Sequence, residues 1–211
     1  MQGIHHFETF LLTGILLNLT PGNDTIFILS KSIAQGKKAG IISVLGIATG
    51  SVIHTVLAAY GLSVIIAKSL LVFNLIKYAG AAYLFYLGYK MFNDKSELNT
   101  RILRRRKAIN YLKIYGDAIL TNVLNPKVAL FFIAFLPQFI NPDATNTMLP
   151  FMVLGATFIL TGTTWCLILA VFASAIFAKF KSNTNIAGYF NKVCGLSLIA
   201  LGIKVAFTGR K

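Results

Sequence analysis

The sequence predicts an all-α membrane protein of six transmembrane helices, arranged as two inverted three-helix repeats. Three observations carry this expectation. Of the 211 residues, 56% are hydrophobic and only 12% charged, with a mean hydropathy of +0.72. A soluble domain carries roughly 25% charged residues, so a soluble enzyme is excluded. Apolar stretches long enough to cross a bilayer, about 20 residues each, recur six times with polar or basic runs between them. The first and fourth stretches are also each interrupted by a polar segment containing proline.

The six spans fall at 7–30, 39–67, 69–91, 114–139, 148–178 and 186–207. The fifth is long enough to tilt strongly or to break near Gly162. The whole chain, 1–211, is then one polytopic domain: a first repeat over 1–92, a basic loop over 93–113 and a second repeat over 114–211. Between Asn93 and Lys113 lie Arg101, Arg104, Arg105, Arg106 and Lys107, too polar a run to enter lipid.

The formal charge of +14 comes from 20 Lys and Arg against 6 Asp and Glu. In a soluble chain it would suggest nucleic acid. Here 13 of the 20 basic residues fall on one predicted side: Lys31, Lys37 and Lys38, eight between Lys90 and Lys113, and Lys179 with Lys181. That asymmetry is the positive-inside signature of a cytoplasmic face. With six spans, both termini face outward, and no nucleic-acid partner is expected. The N-terminus lacks a basic leader and a small-residue cleavage site, so the first span is expected to stay in the mature protein. Cys166 and Cys194 lie in different spans without metal-type spacing and read as buried, inert thiols. No metal and no cofactor is expected.

Two features relate the halves. Lys77-Tyr-Ala-Gly80 with Leu87-Gly88-Tyr-Lys90 in the third span is echoed by Lys192-Val-Cys-Gly195 with Leu201-Gly202-Ile-Lys204 in the sixth. The first span is broken by Asn18-Leu-Thr-Pro21-Gly22-Asn23-Asp24 and the fourth by Asn122-Val-Leu-Asn125-Pro126-Lys127. Three spans per half is an odd number, so the second half enters the membrane from the opposite side. Proline removes an N–H and clashes with the carbonyl four residues earlier, and glycine lets the chain leave helical geometry. Matched breaks in inverted halves point to a transport site near the midplane. Proline kinks solvated by neighbouring amides are the plainer alternative.

At these residues the chain resembles the LysE/RhtB family of bacterial amino-acid exporters. The resemblance runs through Thr20-Pro21-Gly22-Asn23-Asp24, Gly36, Gly40, Gly46 and Gly50, the Lys77 to Gly88 segment, Asn122, Asn125-Pro126-Lys127, Phe131-Phe132 and Pro137-Gln138-Phe139. The family commonly has a second proline after Pro21-Gly22, where this chain has Asn23. The resemblance implies an inner-membrane, multi-pass carrier moving amino acids or related small metabolites outward, driven by the proton gradient. A thiol-carrier branch of similar architecture uses cysteines beside the two prolines, and none stands near Pro21 or Pro126.

Among candidate site residues, Asp24 ranks first. An intramembrane carboxylate costs a few kcal/mol and usually faces a bundle interior or a cavity. Asp24 is a candidate proton carrier or partner for a substrate ammonium, and alternatively a helix cap. Lys127 is a candidate for the substrate carboxylate or for neutralising Asp24, and alternatively a snorkelling lysine. Asn18, Asn122 and Asn125 are candidate ligands, with Pro21, Gly22, Asn23 and Pro126 shaping the breaks. His54 and Asp117 are candidate proton-relay groups, with a helix–helix hydrogen bond and an interfacial position as their respective alternatives. His5, His6 and Glu8 read as interfacial, and Gly36-xxx-Gly40 and Gly46-xxx-Gly50 as close helix packing.

The resulting expectation is a secondary active exporter working by alternating access, its partners a small amino-acid-like substrate, protons and the bilayer, with a second copy of the chain as a candidate. A passive channel or facilitator is the alternative. An intramembrane enzyme finds no support in the sequence, which has no paired catalytic acids, Ser/His/Asp grouping or metal-ligand cluster.

Overall fold

The computed structural model describes residues 3–62, 109–141 and 148–182 continuously, together with isolated helical positions between 71 and 93 and between 192 and 207. Most of the basic loop and of the third and sixth spans, with most of the Lys–Gly repeat, lie outside the described residues.

The first span begins as α1 (Phe7–Leu19) and stops where the sequence requires. Thr20 precedes a proline and is pushed to extended geometry, φ −64° and ψ 117°. Gly22 is also extended, and α2 (Asn23–Gln35) starts beyond it. At 13 residues each, neither helix crosses a bilayer alone, since each is only about 20 Å long. Gly36, at φ +89°, closes α2 and lets α3 (Lys37–Leu57) start at once in the reverse direction. Nearly every other L residue would be strained there. The last turn of α3 widens into a π-helical turn, Ala58–Leu62.

The fourth span is α4 (Tyr111–Val123), capped by Asn110, whose Oδ1 accepts from Lys113 N at 3.0 Å. It breaks at Leu124–Asn125 and resumes as α5 (Pro126–Leu130). A π turn over Phe131–Phe135 and a 3-10 turn over Leu136–Phe139 carry it onward. The two parts meet at a bend of 48°. Finally α6 (Met148–Ser182) runs 35 residues without a break. Of the two alternatives for this span, the break near Gly162 is absent. The helix passes through, and the glycine instead makes room for Asn18.

Lys37–Gly61 and Met148–Ala173 are each long and apolar enough to cross a membrane, and α4 with its continuation to Phe139 makes a third span if the bent pair is one crossing. Large apolar side chains point outward, among them Leu12, Leu120, Leu160 and Phe172. The buried groups include Asn122, Asn125, Ser51, His54 and Thr20. An apolar exterior around a polar seam suits lipid as the surrounding solvent.

Contacts fix the helix directions. Lys38 Nζ sits 4.8 Å from the centroid of the Tyr111 ring at the starts of α3 and α4, and further along Gly46 meets Ala118 and Gly50 meets Asn122. The two helices are parallel. Helix α6 runs parallel to α1, with Gly14 against Phe158 and Asn18 against Gly162, and antiparallel to α3, with Thr55 against Gly155 and Gly40 against Ala170. The broken spans α1–α2 and α4–α5 are antiparallel to each other. Their far ends are joined: His5 N donates to Phe139 O at 3.0 Å, Asn141 N to Gly3 O at 2.9 Å, and Ile4 bridges Ile140. Beneath this join lies an aromatic core in which Phe131 stacks on Phe158 with centroids 4.4 Å apart, and Phe10 and Phe135 each meet Phe139 edge-on.

Candidate functional site

The two proline breaks lie side by side, and each leaves a carbonyl that a side chain from elsewhere meets. In a continuous helix Leu17 O would accept from the N–H of residue 21, but that residue is proline. Lys127 Nζ donates to Leu17 O at 3.1 Å and to Thr20 O at 2.8 Å. Asn122 O would accept from residue 126, again a proline. It is met by Asn125 N at 2.9 Å and lies 3.3 Å from His54 Nε2. A carbonyl only accepts, so this contact calls for the tautomer with its proton on Nε2.

Asp24 stands in the first turn of α2, where the N–H ends of the helix favour a carboxylate. It does not cap the helix, because the N-cap residue is Gly22 and no side chain bonds there. Instead Asp24 Oδ2 accepts from Asn122 Nδ2 at 2.8 Å, while its buried Oδ1 has no hydrogen-bond partner. Ser51 Oγ lies 3.4 Å from Asn122 Oδ1. Asn122 thus touches α2 and α3 with the two ends of its amide. Gly50 is what lets it fit, since a Cβ at that position would stand 2.6 Å from Asn122 Oδ1.

Asn18 occupies a comparable place in the first break. Its Nδ2 donates to Thr161 Oγ1 at 3.2 Å and to Phe158 O at 3.4 Å on α6, and its amide packs on Gly162. Asn125 acts locally: its Oδ1 caps α5 by accepting from Lys127 N at 3.0 Å, and its buried Nδ2 has no partner.

Between the breaks is a cavity of about 40 Å³, with Asn18, Asp24, Thr25, Ser51, Asn122, Lys127 and Thr163 on its polar side. Val44, Ile47, Ala48, Val128, Phe158, Ile159, Gly162 and Cys166 line the rest. Of the residues expected from sequence, Asn18, Asp24, Asn122 and Lys127 converge here. Pro21, Gly22 and Pro126 shape the breaks, and Gly22 leaves space that the Lys127 side chain approaches. Asn23 is exposed, His54 stands behind Asn122 stacked on Phe132 at 5.6 Å, and Asp117 is half-buried on α4 outside the cavity wall. Cys166, expected to be an inert buried thiol, is half-buried at the cavity wall.

Sequence reasoning missed Thr25, Ser51, Thr163 and Cys166. The run Thr161-Gly162-Thr163-Thr164 within an apolar span was the available signal for the α6 wall. Ser51 follows Gly50 directly and was hidden in a packing motif.

Comparison with known proteins agrees with this architecture. Residues 15–209 match the LysE type translocator family. The chain is 33% identical over 212 residues to the uncharacterized membrane protein YrhP of Bacillus subtilis, covering 97% of this chain and all of the relative. It is 30% identical over 205 residues to an uncharacterized membrane protein of Vibrio cholerae, covering 96% and 97% of the two chains. It is 32% identical over 197 residues to the homoserine/homoserine lactone efflux protein of Salmonella typhimurium, covering 93% and 94%. No solved structure matches. A match running almost end to end, on a helical chain whose apolar surface faces outward, identifies this protein as a membrane transporter of the LysE type translocator family.

Proposed function

We propose that the chain is a proton-coupled exporter of amino acids or related small metabolites across the bacterial inner membrane, with both termini outside. One observation carries the reading: Asp24 and Lys127, on opposite broken spans, line one small cavity between the breaks. A zwitterion fits this chemistry. Its ammonium pairs with the vacant oxygen of Asp24, and its carboxylate takes the positive end contributed by Lys127 and the start of α5. Asn18 and Asn122 orient it. Protonation of Asp24 from outside releases the ammonium, which is how a proton gradient drives export. His54 holds Asn122 in place, and Asp117, away from the cavity, takes an interfacial role.

The inverted-repeat arrangement, 1–92 against 114–211 about the basic loop 93–113, belongs to the same reading. It is supported by the antiparallel broken spans and by reciprocal contacts, with Asn18 on Gly162 of α6 and Asn122 on Gly50 of α3. The termini are assigned outside because Lys31, Lys37, Lys38 and Lys113 gather at one end of the bundle, the cytoplasmic end by the positive-inside rule. Among the described residues the cavity holds about 40 Å³, room for roughly three waters.

The test uses inside-out vesicles with an acid lumen and a panel of labelled amino acids that includes homoserine, the substrate named for one relative. Uptake that falls when the gradient is collapsed is expected. Uptake indifferent to the gradient refutes proton coupling, and no uptake of any amino acid refutes the substrate class.

A further inference from the structure

We propose that the Lys127 ammonium is a tethered cation occupying a carbonyl seat for a free alkali cation, so that export proceeds without Na+ or K+ coupling. This goes beyond the export reading and concerns the carbonyls of the first break, which the same ammonium meets while lining the substrate cavity. The seat is built by the sequence. Pro21 strips Leu17 O of its helical donor, and Thr20 O lies one residue beyond the end of α1. Both carbonyls belong to the negative end of a half-helix, and the Lys127 that meets them lines the same cavity as Asp24. Unwound carbonyls and half-helix C-terminal ends are where broken transmembrane helices coordinate Na+. Here two of those oxygens are already taken, at 3.1 and 2.8 Å, by an ammonium covalently fixed to the opposite broken span.

The geometry favours this role over a snorkelling lysine. A snorkelling side chain extends toward the membrane surface with its stem along lipid. Lys127 instead reaches across to α1, where its Nζ meets Leu17 O and Thr20 O. A cation held on a lysine stem cannot dissociate, so it contributes charge and oxygen pairing without adding an ion to the transport stoichiometry.

The experiment uses the purified full-length protein, melted in choline, lithium, sodium or potassium chloride at equal ionic strength. The wild type is expected to melt at the same temperature in all four. Lys127→Ala vacates the seat and is expected to melt lower in choline, then to recover by about 2–4 °C, saturably, in one of the alkali chlorides. Lys127→Arg, which keeps the charge, should gain no such response. Lys127→Ser serves as a second vacated variant if the alanine protein does not accumulate folded. Vacated variants indifferent to all three alkali cations would overturn the proposal, as would a wild type that Na+ or K+ stabilises or drives. The melting readout needs no substrate, so failure of the export reading and failure of this inference are separable.

Discussion

Adding one methyl group at Gly50 tests the site more sharply than removing a ligand. The added Cβ would lie 2.6 Å from Asn122 Oδ1, 2.8 Å from Asn122 Cβ and 3.0 Å from Asn122 Cγ. Rotating the Asn122 amide does not relieve this, because the Cβ itself is too near. Helices α3 and α4 must instead separate by roughly 0.7 Å to restore an ordinary carbon–carbon distance. Overpacking of this kind costs about 1–3 kcal/mol. The same displacement pulls Asn122 Nδ2 from Asp24, a 2.8 Å hydrogen bond to a charged group, worth about 1.5–3 kcal/mol. If transport depends on that bond, the loss corresponds to roughly a 10- to 100-fold slower rate. Gly116→Ala is the matched control on α4, with nothing within 4 Å of its added Cβ and an expected gain of about 0.5–1 kcal/mol from replacing a helical glycine. Gly162→Ala should fall between them, its Cβ meeting Asn18 Oδ1 at 3.0 Å. Melting of purified protein and initial uptake into inside-out vesicles measure both effects. If Gly50→Ala and Gly116→Ala behave alike in the two assays, the α3–α4 contact and its role in holding Asn122 are wrong.

Gly155→Ala should destabilise by about 1–3 kcal/mol because its Cβ overlaps the Thr55 side chain. Thr55→Ala should restore only part of the loss, because Thr55 Cβ itself stands 2.9 Å from the added methyl, and a double-mutant cycle in thermal unfolding shows how far the two changes couple. Asp24→Asn keeps the shape but removes the titrating charge, so gradient-driven uptake should disappear while the protein still folds; normal uptake would remove Asp24 from the mechanism. Asn110→Ala deletes the cap on α4 and should lower stability by about 1 kcal/mol without changing the pH-gradient dependence of uptake.

The breaks were legible because proline acts on its own backbone: Pro21 and Pro126 end helices at predictable residues. Lys38 and Lys113, placed on one side from the sequence, do lie at the same end of α3 and α4. The partners of the freed carbonyls were not. Nothing in the spacing of Leu17 and Lys127, or of Asn122 and His54, says that they meet, because the contacts join different helices at separations that only the packing sets. Gly162 left a tilt and a break both open for a related reason. In an apolar helix a glycine marks close approach as readily as a bend, and only the neighbour, Asn18, decides between them. Asn125 reads as a ligand by residue type, but its oxygen is spent on the α5 cap.

The join at the far end of the broken spans is made mostly by main-chain atoms: His5 N to Phe139 O, Asn141 N to Gly3 O and the Ile4–Ile140 bridge. The main-chain bonds of this clasp carry little side-chain code, and one side-chain contact adds to them, His5 Nε2 lying 2.7 Å from Gln138 O. Alanine at Ile4 would leave the main-chain bonds in place, whereas proline at position 5 or 141 would delete a donor. It also constrains motion. The two broken spans are fastened together at this end, so their rims move as one piece unless these backbone bonds are broken. A cycle that preserves the clasp must open by swinging the surrounding helices away from this fastened pair.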